Sequence, residues 1–98
     1  MATFVSTIKF TEQGMKQIAE TCRRAEAFKN SAEKMGASVK DVYWTPGPFD
    51  GLIVFEAKDE ETATALMLQL GSQGNVHTQT QRAYDAAEMQ NIVHKLGH

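Results

Sequence analysis

The chain opens on alternation. Over residues 3–10, Phe4, Ser6, Ile8 and Phe10 fall on one face and Thr3, Val5, Thr7 and Lys9 on the other. The enrichment in Thr, Val, Ile and Phe predicts a strand. Thr11 supplies an N-cap hydroxyl. The period then changes: Met15, Ile18, Cys22, Ala25, Phe28, Ala32 and Met35 recur in steps of three and four, the stripe of an amphipathic helix. Gly14 weakens the first turn and allows a break before residue 20. Gly36 offers a left-handed stop. Residues 38–44 are β-branched and aromatic and predict a second strand. The run Thr45-Pro-Gly-Pro-Phe-Asp50 predicts a turn, because two prolines and a glycine cannot continue a ladder.

Residues 51–57 are apolar on both faces, with Leu52 and Val54 on one and Ile53 and Phe55 on the other. Such a strand is central and covered on both sides. Asp59, Glu60 and Glu61 mark a helix start, where carboxylates complement free N–H groups. Ala63, Leu66, Met67 and Leu70 give its core stripe, and Gly71 its stop. Residues 75–83 form a fourth, polar strand. Asp85 and Glu88 make a D-x-x-E capping box, and Met89, Ile92, Val93 and Leu96 complete a third helix. The order is βαββαβ with a C-terminal helix: an α+β, ferredoxin-like fold, with a four-stranded antiparallel sheet and two helices on one face. The second face of the third strand then needs a cover. The C-terminal helix supplies part of it in this reading, and a second copy of the chain the rest. Burying about 600–800 Å² per chain adds on the order of 15 kcal/mol before association costs. A sheet-to-sheet homodimer with two-fold symmetry follows.

Composition narrows the class. The 98 residues support a single domain, residues 1–98. With 10 Lys and Arg against 12 Asp and Glu, nothing favours electrostatic capture of nucleic acid or an anionic membrane. The one cysteine excludes an internal disulfide framework and suits a reducing compartment. The N-terminal residues lack a basic stretch followed by a long apolar one, and no apolar run approaches a membrane span. The expectation is a soluble cytoplasmic protein.

Taken together, several segments resemble the GYD domain family over nearly the whole chain. They are Phe4-Val-Ser6 with Thr11-Glu-Gln-Gly14, Arg23-Arg-Ala-Glu-Ala-Phe28, and Gly36 to Trp44. To these add Gly47-Pro-Phe-Asp50 with the strand and acidic helix start after it, Gly71-Ser-Gln-Gly-Asn-Val76, and Arg82-Ala-Tyr-Asp85. The resemblance implies a dimeric α+β barrel and brings no activity with it. Where family members usually carry Tyr beside Asp, this chain has Phe49, so a phenolic acid or base is absent at that position.

Candidate chemistry is sparse. On the fourth strand, Val76, Thr78, Thr80 and Arg82 share one face, and His77, Gln79 and Gln81 the other; the strand is either a solvated edge or the wall of a polar cavity. His77 is the candidate catalytic acid or base, with a solvated side chain as the plainer account. Trp44, Asp50 and Arg82 are candidate ligand-binding residues. Against that, Trp44 or its neighbour Tyr43, which faces the opposite side, reads as core. Asp50 reads as a turn former, and Arg82 as one half of an ion pair. Arg23 and Arg24, beside Glu20 and Glu26, read as a solvated face, and Cys22 as a buried, inert thiol. His94 and His98 suit the C-terminal end of the last helix. The three histidines and one cysteine are too scattered for a metal site. Gly71-Ser-Gln-Gly74 follows a helix and precedes a strand, the reverse of a phosphate loop. No metal and no cofactor is therefore expected. Two functions remain in view: a homo-oligomeric domain, enzymatic or not, that binds a small molecule between sheet and partner, and a non-catalytic interaction or assembly module. RNA recognition is disfavoured, because the basic-Gly-aromatic signature is missing and the domain is acidic.

Overall fold

In the computed structural model, which describes residues 1–97, the predicted order appears with one additional short helix. The elements are β1 (Ala2–Phe10), α1 (Glu12–Lys16), a 3-10 turn (Ile18–Glu20), α2 (Thr21–Lys34), β2 (Ser38–Trp44), β3 (Gly51–Ala57), α3 (Glu60–Ser72), β4 (Val76–Ala83) and α4 (Ala86–His94). His98 lies outside the described residues. The sheet order is β2-β3-β1-β4, with every neighbouring pair antiparallel. This is the ferredoxin-like arrangement, with β2 and β4 as edges.

Alternation decides which face is covered. Phe4, Ser6 and Ile8 of β1 and Gly51, Ile53, Phe55 and Ala57 of β3 are buried. They meet Phe28 and Ala32 of α2 and Ala63, Leu66 and Met67 of α3. The Phe4 and Phe55 rings stack at 5.5 Å. The opposite face stays open: Val5, Leu52 and Val54 are only half-buried.

The C-terminal helix does not provide the expected cover, for no residue of α4 is buried. The reason lies in Arg82. It projects from the helix-side face of β4 and binds Glu88 in α4 at 3.1 Å, so the helix is tied to that side of the edge strand. The molecule measures 52 × 31 × 18 Å, and its thin dimension accommodates the sheet and one helical layer.

Helix boundaries follow local chemistry. Thr11 caps α1 through Gly14 N–H, Asp59 caps α3 through Thr62 N–H, and Asp85 with Glu88 closes a full capping box. Gly36, at φ +82°, ends α2 with Ala37 N–H donating to Ala32 O at 2.9 Å and Gly36 N–H donating to Glu33 O at 3.1 Å. That is a Schellman closure. α3 runs past Gly71, and Gly74 takes the left-handed position instead.

Two consecutive steps of three, Cys22 to Ala25 to Phe28, carry the predicted stripe off the buried face of α2, and the 3-10 turn separates Met15 and Ile18 from that helix. Phe28 and Ala32 are buried as expected, but Met15, Ile18 and Cys22 are exposed. Cys22 is therefore not a buried thiol. Counting back from Phe28 in steps of four and three gives Arg24 and Thr21, and these occupy the inner face of the first turn of α2.

Candidate functional site

The four candidate residues do not converge. β1 is the reference: Phe4 pairs with Arg82, and Lys9 pairs with His77. Phe4 and Phe10 are six residues apart, about 20 Å along a strand. Arg82 and Asp50, which binds Phe10, therefore mark opposite ends of the sheet. His77 projects to the open face beside Lys9 and is exposed. Arg82 projects to the helix-side face.

Arg82 is fully engaged within the chain. One nitrogen donates to Thr3 O at 3.1 Å and to Ala83 O, and the other to Glu88 Oε2 at 3.1 Å. The guanidinium lies over the Tyr84 ring at 4.6 Å and the Phe4 ring at 5.7 Å. The Asp85 N–H and the Arg82 guanidinium hold the Glu88 carboxyl below the usual carboxylate range. The arrangement fastens α4 to the sheet.

Asp50 and Trp44 do come together, at the other end. The Asp50 carboxylate accepts from Phe10 N–H at 2.9 Å and lies 3.6 Å from Lys9 Nζ. Its own N–H donates to Ile8 O at 2.7 Å. Asp50 thereby clamps the β2–β3 turn to the end of β1. Trp44 and Tyr43 face opposite sides of β2, as their spacing requires, but neither is core: Trp44 is 43% exposed and Tyr43 54%. β2 is an edge strand, and the first turn of α2 stands off from it. Trp44 Nε1 spans the gap and donates to Thr21 Oγ1 at 3.0 Å.

Beneath that bond lies a cleft of about 70 Å³ between α2 and the sheet. Ile8, Ala25, Phe28 and Val42 make it apolar, while Trp44, Asp50 and Arg24 stand among its polar lining. Arg24 is not on a solvated face. It is half-buried, and its guanidinium donates one long bond, 3.4 Å, to Gly14 O. Its spacing of four residues from the buried Phe28 was the available signal. Arg23, by contrast, is exposed and pairs with Glu20 at 3.0 Å. Among the described residues, no group of three or more His, Cys, Asp or Glu side chains is placed to hold a metal ion. No described helix is long and apolar enough to cross a membrane.

Comparison with known proteins gives a consistent placement. A relative from Thermus thermophilus, named Glutamine synthetase and cystathionine beta-lyase binding protein, is 31% identical over 90 residues, covering 91% of this chain and 95% of that protein. A crystal structure from the same organism, TTHA0845, superposes with a TM-score of 0.57 at 24% identity, over 88% of this chain and 96% of that one. The crystal structure of MtbAldR gives a TM-score of 0.63 at 15% identity; it matches 86% of this chain, which spans about half, 52%, of that longer one. These two likenesses concern the fold alone. Residues 4–93 match the family model described as GYD domain, and on that match, together with the relative of similar length, the chain belongs to the GYD domain family.

Proposed function

We propose that the chain is a non-catalytic interaction module that works as a homodimer joined through the open face of its sheet. One observation carries this reading. Val5, Leu52, Val54 and Tyr43 form a contiguous apolar patch on that face, rimmed by Lys9, Glu56, His77 and Gln79, and α4 leaves it uncovered. An apolar centre with a polar rim is the anatomy of a protein contact, and a two-fold axis through it makes the patch its own complement. The relative named as a binding protein for two enzymes supports protein partners for the dimer. Sedimentation equilibrium tests the proposal. The wild type is expected to run as a dimer at micromolar concentration. Val54→Lys is expected to run as a folded monomer, because it places a charge at the patch centre. A monomeric wild type overturns the reading.

A second reading has a ligand, and chemistry on it, between the sheet and its partner. It is favoured by His77 and Gln79 standing on the same open face, at the rim of the contact. On this reading His77 acts as acid or base. A metabolite that raises the melting temperature of the dimer, but not of a His77→Ala dimer, supports it. A shift of equal size in both removes His77 from the role.

A further inference from the structure

The cleft beneath Trp44 has the features of a small ligand site separate from the open sheet face. We infer that it holds a small monocarboxylate with a short branched aliphatic tail, its carboxylate on the Arg24 guanidinium and its tail between α2 and the sheet.

A residue with no side chain lines the floor, where a Cβ on Gly51 would already touch Tyr43 O at 3.1 Å and Ile8 Cβ at 3.5 Å. Ile8, Gly51 and Trp44 form one row across β1, β3 and β2, on the helix side of the sheet. Gly51, in the middle, contributes no atoms to that side, so the floor is low between its neighbours. The roof is the first half of α2, where Ala25 is small and the helix is held off by the Trp44–Thr21 bond. A volume of about 70 Å³ is well below the roughly 300–1,000 Å³ of a pocket for a drug-sized ligand and suits a small fragment.

Its chemistry is asymmetric. The lining is mostly hydrocarbon, with Thr21, Gln73 and Asn75 as its neutral polar members, which disfavours a strongly polar body. Of the two charged side chains in the lining, Asp50 is already committed to Phe10 N–H and Lys9. Among the described residues Arg24 has one long bond, to Gly14 O, which leaves most of its planar donor set free there. A half-buried guanidinium with free donors beside an apolar space matches a carboxylate that carries a hydrocarbon tail. The groups that carry the site, Arg24, Ala25 and the Trp44 side chain, lie on the helix side of the sheet, although Tyr43 and Leu52 of the open-face patch also border the cleft.

The test uses isovalerate, which has the required tail and head, and 3-methylbutan-1-ol, which has the same tail without charge. Each is titrated into the isotopically labelled wild type and followed by NMR. Isovalerate is expected to bind saturably, with a Kd on the order of 1 mM, typical of a fragment of this size. Shifts should centre on the Trp44 indole and residues 21–28. The alcohol is expected to bind at least tenfold more weakly, and Arg24→Gln to weaken isovalerate to the level of the alcohol. Gly51→Ala is expected to abolish binding by raising the floor; if it fails to fold, Ala25→Leu fills the same space from the roof. Equal binding of alcohol and carboxylate, unchanged binding in Arg24→Gln, or shifts outside the cleft would each overturn the inference.

Discussion

Gly14 stands where the chain's backbone crosses itself, and exchanging it for alanine gives a sharp test of the packing. A Cβ built on Gly14 would lie 2.0 Å from Asn75 O, 3.0 Å from its carbonyl carbon and 3.2 Å from its Cα. All three atoms are backbone, so no rotamer relieves the clash. Ordinary contact near 3.4 Å requires the two segments to separate by about 1.4 Å (3.4 − 2.0). That separation breaks Thr11 N–H to Asn75 O (3.0 Å) and pulls on Thr11 Oγ1 to Gly74 O (2.6 Å). Such bonds are each worth about 1 kcal/mol net, and overpacking adds about 1–3 kcal/mol. Alanine returns about 1 kcal/mol through its helical preference and a stiffer unfolded chain. Gly14→Ala is thus expected to lose about 2–3 kcal/mol, lowering Tm by roughly 10–20 °C. Gly71→Ala is the internal control: that residue is helical and nothing lies within 4 Å of its would-be Cβ. It is expected to gain about 0.5–1 kcal/mol. Urea unfolding by circular dichroism, with equal m-values, measures both. A Gly14→Ala protein within about 0.5 kcal/mol of wild type would refute the reasoning.

Two further outcomes follow from the core and the caps. Phe55 is fully buried and stacks on Phe4, so Phe55→Ala is expected to lose about 3–5 kcal/mol in the same urea assay; a loss below about 1 kcal/mol would mean the site collapses around the gap. The Asp59 carboxyl is held below its ordinary value by the Thr62 side chain and N–H, and that of Glu88 by the Asp85 N–H and Arg82. Because the folded values are the lower ones, their stabilising effect is fully present above the ordinary carboxylate pKa of about 4 and is lost as pH falls through the folded values. Carbon chemical shifts of α4 are therefore expected to lose helical character in acid, and Glu88→Gln to show the reduced helicity already at neutral pH. Shifts that stay constant from neutral to strongly acidic pH would exclude the capping box as the holder of α4.

The sequence was most informative where a local rule and the tertiary structure agree. The alternation of Phe4, Ser6 and Ile8 and the two-sided apolar run from Leu52 to Phe55 locate the sheet. Gly36, Asp59 and Asp85 locate helix ends, since each acts within a few residues of itself. The phase of α2 was misread because the two steps of three from Cys22 through Ala25 to Phe28 turn Cys22 well away from the buried face of the helix, whereas the single step of four keeps Arg24 on it; Cys22 was thereby placed inside and Arg24 outside. The purpose of Gly14 was hidden as well, since the atom it avoids belongs to Asn75. The placement of α4 depends on which face of β4 carries Arg82. The alternation of β4 separates Arg82 from His77 but gives no sign of a partner, so Glu88, read as a cap, was not recognised as the partner of Arg82. Of the candidate site, Trp44 and Asp50 were found for their residue types, while the empty row position at Gly51 becomes visible only once β1, β2 and β3 are aligned.

The hydroxyl pair between β1 and β4 bears on how the last strand finds its place. Ser6 is wholly shielded from solvent, and Thr80 Oγ1 bonds its Oγ at 3.0 Å. The middle of β4, from His77 to Gln81, is polar on both faces, so apolar alternation gives it little register there; Val76, packed against the core, and Arg82, bound to Glu88, hold the strand at its two ends. Ser6 adds a check in the middle: a two-residue slip sets either Arg82 or Thr78 opposite it, and the frame with Arg82 opposite leaves its dry hydroxyl without Thr80, at about 1–3 kcal/mol. The pair acts as a detent that stops a smooth edge from sliding. Ser6→Ala removes the detent while leaving Thr80, already at the surface, free to bond water. Val76 and Arg82 still favour the native frame, and refolding of the variant is expected to gain a slow phase as the fraction of chains docked out of frame detaches and docks again.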